Sequence, residues 1–98
     1  MTELNTLLKL PKDFDASELA VGKIYDVTKD AERVFPLHIA VFLVGSDWTF
    51  YGYCVVHKAV LHKNTTTMSF EVLSLFSPDE QNLYKQKFLQ AAAKTGEI

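Results

Sequence analysis

Cys54, His57 and His62 fall within one ten-residue stretch, YCVVHKAVLH, and they are the only cysteine and two of the three histidines of the chain. Thiolate and imidazole are ligands of tetrahedral zinc, and they are also the two halves of a cysteine nucleophile with its base. Val55, Val56 and Val60 favour a strand here. Side chains of a strand alternate between faces, so Cys54 opposes His57. Cys54 and His62 share a face but lie about 26 Å apart. No zinc ion with ligands at about 2.0–2.3 Å is reached that way. A helix would bring Cys54 beside His57 and turn His62 about 140° away from His57. The reading is no metal, no cofactor, and Cys54 as a small buried hydrophobe. His38 is the histidine that a neighbouring strand would bring towards Cys54.

Two other places carry residue types suited to binding. DWTFYGY groups Trp48, Phe50, Tyr51 and Tyr53, rings of the kind that stack on bases or fill an interface. TKDAERVFP places Lys29 and Arg33 among acidic residues beside Phe35 and Pro36, a charged loop of the kind that carries ligand contacts. These six residues, Trp48, Phe50, Tyr51, Tyr53, Lys29 and Arg33, are the candidate binding residues. No catalytic residue is assigned. The motifs G-x-G-x-x-G, G-x-x-x-x-G-K-[ST], H-E-x-x-H and C-x-x-C are all absent from the sequence.

The elements that must position these residues are legible in part. Leu4, Leu7 and Leu8 have helical spacing ahead of Pro11, and Asp15 three residues before Glu18 suggests a short helical turn near Ala16 to Ala20. KIYDVT, Leu37 to Val44, Thr49 to Leu61 and TMSFEVLSLF read as strands. Turns are expected at GSDW and around Asn64. The clearest element is the helix from Pro78 to Lys94. Ser77 is its N-cap, Pro78 its first residue, Glu80 completes a capping box and Gly96 is the stop. Tyr84, Phe88, Ala91 and Ala92 form its expected apolar stripe. If Phe88 is core, alanine there costs about 3–5 kcal/mol.

The expected fold is α+β. It has a four-stranded, strongly curved antiparallel sheet, a meander or partly open small barrel. A C-terminal helix packs on it, and the N-terminal segment is short and helical. One domain spans 1–98, with an arm at 1–21, the sheet at 22–76 and the helix at 77–95. Two of the strands are apolar on both faces, which one helix cannot cover. Closure into a barrel, the N-terminal segment or a second copy would complete the burial.

With 10 basic and 12 acidic residues the net charge is −2, which argues against a long phosphate track. The lone cysteine allows no internal disulfide. The first residues lack the pattern of a signal peptide, and no apolar run approaches a membrane span. A cytoplasmic location is expected, with no membrane partner. The expected role is a non-catalytic protein-interaction module, homodimeric or a small subunit of a larger complex. The alternatives are a single-stranded nucleic-acid or RNA-binding β-domain, and a small-ligand protein or small enzyme with a site in a barrel mouth or dimer cleft.

Overall fold

The structure, a computed structural model, describes residues 7–30 and 35–96. Its elements are strands β1 (Leu7–Lys9), β2 (Ile24–Asp30), β3 (Ala40–Val44), β4 (Phe50–His62) and β5 (Thr65–Leu75), then helix α1 (Pro78–Thr95). The strands form one mixed sheet in the order β1-β3-β4-β5-β2. β3, β4, β5 and β2 are joined by antiparallel ladders, while β1 runs parallel to β3. The expected α+β class and C-terminal helix are present. The expected four strands are five, and the sheet is not purely antiparallel.

The difference lies at the N-terminus. Leu7 and Leu8 belong to a strand, not a helix, because β3 presents an open edge and pairs Leu8 with Leu43. Leu8 and Leu43 are fully buried there, and Leu7 is half-buried. Three ladder positions at an open edge outweigh a weak helical spacing that Pro11 cuts short. Leu4 lies outside the described residues. The turn expected near Ala16 is a single 3-10 turn, Ala16–Glu18, capped by Asp15, whose carboxylate accepts from the Ser17 N–H. The strand expected over Leu37 to Val44 begins only at Ala40, because His38 takes the left-handed conformation at φ 66°.

One face of the sheet holds the main core. Leu8, Val41, Leu43, Cys54, Val56, Met68, Phe70, Val72 and Val27 contribute to it from the five strands, together with Leu10 and Phe35. Phe14 and Tyr25 pack edge to face beside it at 5.8 Å, and Tyr25 stacks on Phe70 at 5.5 Å. The sheet curls far enough for Lys29 Nζ on one edge strand to donate to the Lys9 carbonyl on the other. It stays unclosed, since no ladder joins β1 to β2.

Three irregularities in register decide which side chains reach which face. Val44 pairs with Phe50 and Leu43 with Gly52, so Tyr51 is an extra residue of β4. Tyr53 pairs with Ser74 and Cys54 with Val72, so Leu73 is extra on β5. Val56 pairs with Phe70 and Lys58 with Ser69, so His57 is extra on β4. Strict alternation groups Tyr51 with Tyr53, and Phe50 with Cys54. The bulge reverses this, placing Tyr51 against the main core and Phe50 beneath the helix. The bulge at His57 likewise turns His57 and Lys58 to the same face and moves His62 to the face opposite Cys54.

Helix α1 begins and ends on the signals read from sequence. Ser77 Oγ accepts from the Glu80 N–H, Glu80 accepts from the Ser77 N–H, and Gly96 closes the helix in the left-handed conformation. Its contacts lie over β4 and the neighbouring Phe42 of β3. Tyr84 stacks on Phe76 at 4.6 Å and Phe88 on Trp48 at 4.8 Å. Ala92 is buried, whereas Ala91 is exposed and leaves the expected stripe.

Candidate interaction surface

The six candidate binding residues do not converge. Phe50, only 3% exposed, lies under the helix against Phe88 and Tyr84. Tyr53 shares that face, stacked on Phe42 at 4.8 Å and edge-on to Phe76. Trp48, at φ 69°, leaves the β3–β4 turn and lies between Phe88 and Lys9, whose ammonium stands 4.0 Å from the ring centroid. These rings form a second, smaller cluster, and Val44, paired with Phe50, and Ala92 are buried outside the main core. Tyr51 faces the other way, and burial together with the Asp47 carboxylate pushes its phenol pKa up. Lys29 reaches the Lys9 carbonyl across the sheet mouth. Arg33 lies outside the described residues.

The helix covers only one end of its sheet face. The remainder is built by β2, β5 and the far half of β4. Register aligns Ile24 with Glu71 and Val55, then Asp26 with Ser69 and Lys58. The next rows join Thr28 to Thr67 and Val60, and Asp30 to Thr65 and His62. Side-chain hydrogen bonds follow the same rows. Ser69 Oγ donates to Asp26, and the hydroxyls of Thr28 and Thr67 meet at 3.0 Å. Ile24 is 58% exposed and Val60 46%, so apolar side chains stand in water among these polar ones. The bulge sets His57 Nε2 3.0 Å from Glu71 Oε1, and the rings of His57 and His38 are 6.0 Å apart. Sequence reasoning missed Asp26, Lys58, Val60 and Glu71 as a group. Only the strand register reveals it.

Chemistry within the described residues is sparse. Cys54 is buried, and desolvation pushes its thiol up to about 12. No group of three histidine, cysteine or acidic side chains among the described residues is placed to hold a metal. A groove between the N-terminal arm and β2 is lined by Pro11, Asp13, Phe14, Asp26, Val27 and Thr28. A second, at the foot of α1, is lined by Thr49, Pro78, Gln81, Asn82 and Lys85. Neither pairs a nucleophile with a base. Among the described residues, no helix is long and apolar enough to cross a membrane.

No protein-family model matches the chain, and no curated protein matches it. Among solved structures, it is similar to the crystal structure of the protein ytmB from Bacillus subtilis, a structural-genomics target. The two are 25% identical with a TM-score of 0.62, over 80% of this chain and 94% of that one.

Proposed function

We propose that this chain is a non-catalytic interaction module that acts through the helix-free part of its sheet face, as a homodimer. The observation that carries the reading is the exposure of Ile24 and Val60 on the part of the sheet face, built by β2, β5 and β4, that α1 leaves uncovered. Apolar side chains left in water on a sheet face mark a partner surface, and small cores commonly gain stability by association. The nucleic-acid alternative draws less support, because Phe50 and Tyr53 are engaged by the helix and Tyr51 faces the main core. An enzymatic role draws less again, since Cys54 is buried and its thiol is held protonated.

The test is molar mass by light scattering over about a tenfold concentration range, since dimerisation follows mass action. The parent chain is expected to rise towards twice 11.1 kDa as concentration increases. Ile24→Glu and Val60→Glu are expected to give monomers. Leu83→Glu, at an exposed position of α1, is expected to leave the dimer intact. A parent chain that stays monomeric throughout contradicts the proposal.

A further inference from the structure

We infer that the occupant of this face is a second copy of the chain, docked about a two-fold axis that runs along β5 and pairs Asp26 with Lys58 of the second copy. The inference rests on the reading above and deepens it. β2 and β4 flank β5 on opposite sides, each about 4.8 Å away. β2 carries the acidic residues Asp26 and Asp30 on this face, and β4 carries Lys58 and His62. Rotation by 180° about β5 lays the second copy's β2 over β4 and keeps every row at its own height. Asp26 then faces Lys58, and Asp30 faces His62. Ile24 faces Val55, and Thr28 faces Val60. Each acidic side chain of one flank meets a basic or titratable one of the other. Each of the apolar residues Val55 and Val60 meets an uncharged side chain.

The competing isologous arrangement places the axis across the strands. It would stack β2 on β2 and β4 on β4, gathering the acidic residues of both copies on one flank and both copies of Lys58 on the other. Like charges gathered on one flank are unfavourable, whereas the axis along β5 brings the acidic flank over the flank that carries Lys58, so charge complementarity favours it. Sheets packed face to face stand about 10 Å apart with strands about 30° from parallel, which tilts the axis about 15° from β5.

Glu71 lies in the axial column and meets its own copy. Its carboxylate is 3.0 Å from His57 Nε2, and Lys58 in the next row is the nearest cation of the three-strand rows. Three strands by four rows give a footprint of roughly 400 Å². That is about half of a standard interface per partner, so the dimer dissociates on dilution. Its charged pairs make it weaken as salt rises.

Charge exchange tests the geometry. Asp26→Lys and Lys58→Asp are each expected to raise the dimer dissociation constant by at least about tenfold, because each sets like charges face to face. The double variant Asp26→Lys with Lys58→Asp is expected to return within about threefold of the parent. Circular dichroism confirms that each variant is folded. Should Asp26→Lys fail to fold, Asp26→Asn with Lys58→Gln replaces it, and the expected result is a dimer whose affinity falls less steeply with salt than the parent's; an unchanged salt dependence overturns the pairing. A parent chain that is monomeric overturns the function proposed above and this inference with it. A dimer that ignores both single exchanges, or that the double exchange fails to restore, overturns the axis along β5 and leaves self-association standing.

Discussion

Gly52 is the position at which the sheet tolerates no side chain, and Gly52→Ala tests whether the β4–β5 register is as described. A Cβ built there would lie 2.0 Å from the Ser74 carbonyl oxygen and 2.9 Å from Leu75 Cα. Ordinary non-bonded approach is about 3.5 Å, so the backbone of β5 must retreat by more than 1 Å. No rotamer change relieves the contact, because the opposing atoms are backbone. The retreat would break the pairing of Gly52 with Leu75 and strain the bond from the Phe76 N–H to the Tyr51 carbonyl, 2.7 Å, which ties the start of the helix to β4. Overpacking of this kind costs about 1–3 kcal/mol when side chains can shift, and more when they cannot. The expected loss is therefore about 3–4 kcal/mol, a large part of the stability of a domain this size. At about 4–8 °C per kcal/mol, Tm should fall by roughly 12–30 °C in thermal denaturation followed by circular dichroism. A fall under about 3 °C would refute the close approach of the two strands and the bulges drawn from it.

Phe88→Ala should cost about 2 kcal/mol in urea unfolding, below the range for a full core phenylalanine, because the ring is only half-buried against Trp48 and Phe50. Phe50→Ala, with the ring 3% exposed, should cost about 3–5 kcal/mol in the same assay. Cys54 should resist a thiol reagent at pH 8, where a pKa near 12 leaves about one thiolate in ten thousand; labelling at the rate of an unfolded control would contradict the burial. The Asp47 carboxyl is held below the usual range by the Thr49 hydroxyl, then by the Thr49 N–H at 3.1 Å, and Asp15 is lowered by Ser17 in the same way. A depressed folded pKa gives stability that is complete above the ordinary carboxylate range and lost as pH falls through the folded value. Stability should hold from neutrality to about pH 4 and decline below it. Thr49→Val should move the Asp47 titration, followed by NMR, upward.

What the sequence made legible was what local chemistry decides. Ser77, Pro78, Glu80 and Gly96 defined the helix because each meets an unsatisfied backbone group of its own end. The turn at Asn64 was legible for the same reason, and Lys63 and Asn64 both take positive φ in the two-residue loop between β4 and β5. The alternation that separates Cys54 from His57 also held. What lay beyond reach was register. Each bulge adds one residue and reverses every later assignment of face, so Tyr51, Phe50 and His62 landed on the sides opposite to their expected ones. Leu7–Lys9 became a strand because of an edge far along the chain, which nothing in those three residues announces. The row of Asp26, Ser69 and Lys58 joins three strands, and its charge pattern exists only once their ladders are fixed. The aromatic window, conspicuous in sequence, proved to be divided between two cores.

The measurement that bears most directly on the central claim is sedimentation velocity of the unmodified chain over about a hundredfold concentration range, at low and high salt. The account predicts a reversible monomer–dimer equilibrium that shifts towards monomer as salt rises. A single species of 11.1 kDa at every concentration would contradict it.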